Sequence, residues 1–266
     1  MKNLTWHSKL VLAIAAFLPI YFMIAALGSK IGLWSWQTGL VGMTFSAGQF
    51  LLGILAIVAL VSLILGLVRK PRRQPVVTIG ALGLIVASAL ALLGLSTGSK
   101  AEKNPIHDVA TDTANPPALS AETLAQRAKT DANPLNNYQI PLSELPMYAG
   151  VSPELAIKNH AQIIIDTYDL RPLPLGGATK PDAMAAVAAA MDNMGFTDIR
   201  QDAAAGRVEG VAETFWYGFK DDVVARIDDR EINFRSVSRV GQSDLGANAA
   251  RITELRANVA QKIGDR

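Results

Sequence analysis

The sequence predicts an α+β membrane protein: three N-terminal transmembrane helices, then a small extracytoplasmic domain in which helices pack an antiparallel sheet of about four strands. Three observations carry this. The N-terminal part holds three apolar runs without a charged residue, the stretch between Thr197 and Arg239 reads as strands separated by turns, and the chain closes on an amphipathic helix. Composition agrees, since 266 residues at 50% hydrophobic and 18% charged are too apolar for one soluble domain and too polar for a chain lying wholly in lipid.

Leu10–Leu27 and Val76–Leu95 are each long enough to cross roughly 30 Å of hydrocarbon as a helix, and Leu40–Val68 is longer than required, so it can tilt or begin late. Lys2 and Lys9 precede the first run as in a signal peptide, but the run exceeds an apolar core of roughly 7–15 residues and reads as a retained span. Arg69-Lys70-Pro71-Arg72-Arg73, between the second and third runs, places that loop and the N-terminus in the cytoplasm. The loop Gly28–Thr38, with Trp34 and Trp36, then suits the far interface. An odd number of crossings puts everything after Ser96 outside, in the periplasm of a bacterial inner-membrane protein. Gly42 with Ser46, and Ala87 with Ala91, have the spacing that lets spanning helices approach closely.

The domains follow as 1–98 for the transmembrane region, 99–150 for a proline-containing linker or ordered wrap, and 151–266 for the sheet domain. Ser120–Lys129 can form a short helix. Pro153–Tyr168 can form another, although Ile163–Ile165 alone also suits a strand. Thr179 caps a helix with Asp182 three residues on, Pro181 fits its first turn, Met184, Val187, Ala188 and Met191 share an apolar face, and Gly195 ends it. Those methionines are core filler rather than ligands.

Strands are expected at Thr197–Asp202, Arg207–Trp216, Asp222–Asp228 and Glu231–Arg239, with a tight Asp229-Arg230 hairpin between the last two. Setting Asp228 opposite Glu231 pairs Ile227 with Ile232 and Ala225 with Phe234, so Val223, Ala225, Ile227, Ile232 and Phe234 share a face that helices should cover. Val224, Arg226, Asn233 and Arg235, with Glu209 and Glu213 from a neighbouring strand, occupy the other. Taken alone, that second face reads as solvated, with ion pairs of little worth. The last helix, Leu245–Ile263, buries Leu245, Ala249, Ile252, Leu255, Val259 and Ile263, with Ser243 or Asp244 as its cap.

The segment RSVSRVGQSDLGANAAR, Arg235–Arg251, crosses a strand end, a turn and this helix start. Arg226, Arg235, Ser236, Ser238, Arg239, Ser243, Asp244, Asn248 and Arg251 are the candidate ligand-binding residues, because arginines beside a helix N-terminus suit a phosphate or carboxylate. A second reading stands beside this one: Asp221, Asp222 and Asp244 can pair with the same arginines and fix the turn.

The runs ETFWYGFKDDVVARI and FRSVSRVGQSDLGANAARI, with IHDVATDTANPP upstream, resemble the DUF1499 family over roughly Asn104 to the C-terminus. The matching positions include Phe219, Asp221, Asp222, Arg226, Gly241 and Gly246 along with the arginine, serine, aspartate and asparagine residues just named. Asp166-Thr167-Tyr168-Asp169-Leu170 departs from the family by lacking a proline. The resemblance implies a domain of uncharacterised function behind membrane helices, with no established catalytic residue or cofactor.

No chemistry announces itself. The chain has no cysteine, which removes disulfides and thiolate nucleophiles, and no G-x-S-x-G, P-loop or H-E-x-x-H signature. A net charge of +2 with scattered basic residues argues against nucleic acid. His107, Asp108 and Asp112 could supply metal ligands, but in a proline-flanked linker they read as surface groups or caps, and His160 as a packing or surface residue. Asp221 and Asp222 point to opposite strand faces, which argues against a carboxylate dyad. No cofactor and no metal are expected, and no catalytic residue is assigned. The expected partners are the lipid bilayer and an envelope protein or anionic ligand. The preferred function is a binding or accessory module. The alternative is a hydrolase or transferase acting on envelope lipid or glycan, with His107, Asp221 or Asp244 moving protons in one deep cleft. An assembly subunit whose helices hold another membrane protein is compatible with the first reading.

Overall fold

The computed structural model describes residues 4–69 and 73–264. The chain forms two compact units, Met1–Ser99 with Thr214–Gly218, and Lys100–Glu213 with Phe219–Arg266.

In the first unit the apolar runs become α1 (Trp6–Lys30), a π-helical stretch Gln37–Ala47 that continues as α2 (Gly48–Val68), and α3 (Gln74–Lys103). Among the described residues these are three helices long and apolar enough to cross a membrane. Of the basic loop, residues 70–72 lie outside the described residues. Val11, Leu18, Leu55, Ala59 and Ala87 form the shared core, while Phe50 and Ile57 face outward, as a hydrocarbon surround favours.

The expected small-residue contacts need correction. Ala87 is buried, but Gly42, Ser46 and Ala91 are exposed. Close approach occurs at Gly80, where a Cβ would stand 2.6 Å from the Leu63 backbone nitrogen, and at Gly83, where it would stand 2.6 Å from Val11 Cγ1. Spacing marks a stripe on a helix, whereas the packing of larger side chains decides which stripe turns inward.

The second unit is an antiparallel sheet with helices. Its strands are β1 (Asp108–Ala110), β2 (Leu173–Pro174), β3 (Thr197–Asp202), β4 (Arg207–Glu213), β5 (Lys220–Ile227) and β6 (Glu231–Ser238). The order is β1-β6-β5-β4-β3, with β2 pairing β6 beside β1's partners. The sheet therefore has six strands among the described residues, against about four expected. β1 and β2 are too short to show alternation, so only their pairing to β6 makes them strands. β4 stops at Glu213 rather than reaching Trp216.

The hairpin register is the expected one, with Ile227 opposite Ile232 and Ala225 opposite Phe234. Its apolar face packs against α7 (Lys180–Asn193) and α8 (Ala247–Gly264), which bring Val187, Met191, Ile252 and Leu255 into one core. Thr179 caps α7 by accepting the Asp182 amide hydrogen. The single helix expected at Pro153–Tyr168 is instead α5 (Pro153–Ala156) and α6 (His160–Thr167). Asn159 and Gln162 form a capping box that starts α6, so Ile163–Ile165 is helical.

Most of the second sheet face is not solvated, although Arg226 is only half-buried and Glu213 is exposed as expected. Glu209, Val224, Asn233, Arg235 and Val237 are buried, because the chain from Thr111 to Asn137, including α4 (Ala121–Lys129), lies over them. Leu119 packs on Val224 and Val237, with Leu135 beside them. Glu209 accepts hydrogen bonds from the Ser120 amide at 2.5 Å, the Ser120 hydroxyl at 2.6 Å and the Thr123 hydroxyl at 2.8 Å. Charged side chains on an alternating strand look solvated until a distant segment supplies their partners.

Candidate functional site

Each arginine of the singled-out segment meets a carboxylate within the fold. Alternation along β5 sends Asp222 to the wrapped face and Asp221 to the helix face, as neighbouring strand residues require. Asp222 accepts Arg239 Nη2 at 2.6 Å and Nε at 3.0 Å, and also Arg127 Nη1 at 2.6 Å. Arg127 reaches on to the Asn133 carbonyl, which ties α4 and the chain after it to the sheet. On the other face Asp221 accepts Arg251 Nη2 at 2.6 Å. Arg251 also donates to the Ser236 hydroxyl and to the side-chain oxygen of Asn248.

Arg235 forks onto Asp108, which also accepts the Tyr138 hydroxyl at 2.6 Å. Burial alone would push the Asp108 carboxyl up, but the Arg235 charge and these hydrogen bonds hold it below the usual carboxylate range. Arg226 is separate from these, bonded to Asp112 at 2.9 Å and Asp228 at 3.1 Å and donating to the Asn115 carbonyl. The fold thus distributes Arg226, Arg235, Arg239 and Arg251 to different carboxylates rather than gathering them about one point.

The helix start is closed by its own residues. Asp244 accepts the amides of Gly246 at 2.8 Å and Asn248 at 2.7 Å, while the Ser243 hydroxyl donates to the Asn104 carbonyl at 2.5 Å. Asn248 joins three segments, since its amide group donates to the His107 carbonyl and the Ser238 hydroxyl, and its oxygen accepts the Ser236 hydroxyl. Leu245, expected as the first buried residue of the last helix, instead lies ahead of α8, is 41% exposed and holds φ of 58°, with Gly246 at φ of 84°, because the chain turns through a left-handed pair before the helix can begin. The turn needs glycine at 246, because a Cβ there would stand 2.8 Å from Asn104 Oδ1.

Beside this turn an open cleft of about 530 Å³ is lined by Lys103, Asn104, Tyr168, Leu245, Gly246 and Ala249, among others. Tyr168 donates to Asn104 Oδ1 at 2.9 Å, and the Lys103 side chain is exposed. A smaller cavity of about 230 Å³ reaches Asn136, Tyr138 and Arg235.

Sequence reasoning missed a buried cluster of two histidines. The Tyr148 hydroxyl lies 3.1 Å from His107 Nδ1 and 3.2 Å from His160 Nε2, and Tyr138 stacks on the His160 ring. Burial lowers both histidines from their ordinary value, His160 to about 4. His107 Nε2 and His160 Nδ1 are buried without hydrogen-bond partners among the described residues. His107, Asp108 and His160 are therefore buried, correcting the surface reading of His107 and Asp108, while Asp112 caps its turn by accepting the Ala114 and Asn115 amides. Nothing in the spacing of 107, 138, 148 and 160 could have announced this, because the residue before β1, a loop, the short 3-10 turn Pro146–Tyr148 and the start of α6 meet only in the fold.

Among the described residues no group of three histidine, aspartate or glutamate side chains could hold a metal ion. Neither cavity has His107, Asp221 or Asp244 in its wall.

A family model, "Protein of unknown function (DUF1499)", matches residues 108–259, which begin at β1 and end inside α8. The chain belongs to the DUF1499 family. The match takes in the Thr111–Asn137 segment together with the sheet, so the wrap and its buried carboxylate partners lie inside the DUF1499 region. A comparison with curated proteins found no match. In the DUF1499 region the arginine-rich segment does one observable thing: it locks β1, β5, β6, α4 and α8 to one another.

Proposed function

We propose that this chain is a membrane-anchored accessory module whose DUF1499 domain lies on the extracytoplasmic side and binds an anionic envelope component in the cleft beside the start of α8. The observation that carries this reading is the make-up of the cleft. It pairs the exposed Lys103 cation with polar Asn104 and Tyr168 and with apolar Leu170, Leu245 and Ala249, and the carboxylate in its wall, Asp169, is paired with Arg171 at 2.8 Å, so the lining suits an amphiphile with an anionic head. Arg251 and Asn248 support the reading as positioning residues, since they hold the turn that carries Leu245 and Gly246.

The orientation rests on the basic Arg69–Arg73 loop and on three crossings, which leave the end of α3 on the side opposite that loop. Co-purification of lipids and proteins with the full chain in detergent, compared with Lys103→Ala and Gly246→Val, tests the proposal. Salt-sensitive recovery of one anionic component, reduced several-fold in both variants, is expected. Equal recovery from a folded Lys103→Ala protein overturns the cleft as the site.

A further inference from the structure

Hairpin tips in solution are built from glycine, asparagine, aspartate and serine. The tip joining β4 to β5 is instead Thr214-Phe215-Trp216-Tyr217-Gly218. Phe215 is 70% and Trp216 51% exposed, and their rings meet edge to face at 5.0 Å. Such an apolar pair in water has no packing reason to exist, so its surroundings matter.

Those surroundings belong to the membrane unit, with which Thr214–Gly218 groups. Lys30, the last residue of α1, donates to the Phe215 carbonyl at 2.9 Å, and its ammonium lies 5.1 Å from the centre of the Phe215 ring. The Tyr217 hydroxyl lies 2.7 Å from the Thr44 hydroxyl in the π-helical start of the second apolar helix. The loop between these helices adds Ile31 and Leu33, 70% and 69% exposed, and carries Trp34 and Trp36. Aromatic side chains and a lysine at the end of a spanning helix are the residues that settle at the headgroup level, where rings are half apolar and half wet.

We infer that Phe215 and Trp216 form an interfacial membrane anchor, lodged in the headgroup region of the leaflet that the C-terminal end of α1 faces. This inference needs only that α1 crosses the bilayer, and it stands apart from the anion-binding proposal. The occupant is lipid rather than protein because Phe215 meets Lys30, the residue that ends α1 and is followed by the exposed Ile31 and Leu33.

The chain has no cysteine, so single cysteines can carry spin labels without a background. Phe215→Cys and, separately, Trp216→Cys would be labelled in the full chain and reconstituted into phosphatidylcholine–phosphatidylglycerol vesicles. Asp229→Cys marks water and Leu60→Cys the hydrocarbon. The ratio of oxygen to water-soluble nickel chelate collisions should be several-fold higher at 215 and 216 than at 229, and below that at 60. A ratio equal to that at 229 overturns the anchor, and so does shielding from both reagents, which would mean a protein partner or second copy covers the tip. Should a labelled variant misfold, brominated-lipid quenching of unlabelled protein decides: it should fall in Trp216→Phe, and equal quenching with and without Trp216 overturns the inference.

Discussion

Arg235 grips Asp108 by two parallel hydrogen bonds, Nε to Oδ1 at 2.9 Å and Nη2 to Oδ2 at 2.7 Å, with both side chains buried. The pair joins β6 to the short edge strand β1, and Tyr138 adds a further donor to Asp108 while its ring lies 5.4 Å from the guanidinium carbon. Removing one partner of a buried pair strands the other charge, which typically costs about 3–5 kcal/mol. Asp108→Ala is therefore expected to destabilise the domain by about that amount, and Asp108→Ala with Arg235→Met by clearly less. Hydrogen exchange of the β6 amides in the full chain measures both. Equal loss in the single and double variants would refute the stranded charge.

Asp222 serves two arginines, so its loss and theirs are not equivalent. In Arg127→Ala, Arg239 still covers the carboxylate through two of its nitrogens, whereas Asp222→Ala leaves two buried guanidinium groups without it. Limited proteolysis between Thr111 and Asn137 should accelerate modestly in the first variant and strongly in the second. The reverse order would show that the wrap is held elsewhere.

His160 makes stability depend on acid. Its ordinary value of 6.5 falls to about 4 in the fold, chiefly through burial, so between those values the unfolded chain binds a proton that the folded chain does not. Stability is full above about 6.5, declines as pH falls toward about 4, and levels off below, at up to roughly 1.4 kcal/mol per unit for one histidine. His107 is shifted in the same direction and steepens the decline. Denaturation midpoints of the full chain across this window should show the slope, and His160→Phe should flatten it. An unchanged slope in that variant assigns the acid effect to other groups.

Leu245 sits at φ of 58°, a left-handed conformation that costs a leucine roughly 1–2 kcal/mol. Leu245→Gly relieves that strain and should raise thermal stability while removing apolar surface from the cleft wall. Stability and recovery of the bound component are then expected to move in opposite directions. Calorimetry beside the co-purification assay checks this, and a variant that gained both would detach Leu245 from the cleft.

Topology is tested by protease. In sealed vesicles of known sidedness, cleavage after Ser96 should require access from the face opposite the Arg69–Arg73 loop. Cleavage only from the face bearing that loop would reverse the orientation.

Much of the architecture follows from local chemistry. Uncharged runs longer than the bilayer needs can only be spans or deep cores, alternation around Asp229-Arg230 fixes the β5–β6 register, and Thr179 and Asp182 mark where α7 begins. These patterns are legible because each is written within one or two turns of chain. Asp221 and Asp222 could likewise be sent to opposite faces by alternation alone.

The partners of those charges could not be read in the same way. Arg235 finds Asp108 across 127 residues, Arg239 and Arg127 converge on Asp222, and two histidines share a tyrosine hydroxyl, all because a proline-containing segment folds back over the sheet. The sequence by itself determined the apolar helices, the hairpin, the α7 cap and the family. Tertiary structure alone decided that most of the second sheet face is dry, that Phe215 and Lys30 meet, and that the arginines of the long serine-arginine segment have carboxylates of their own. The physical reason is range: helix and strand periodicity acts over a few residues, whereas desolvation and ion pairing are set by whatever distant chain covers a group.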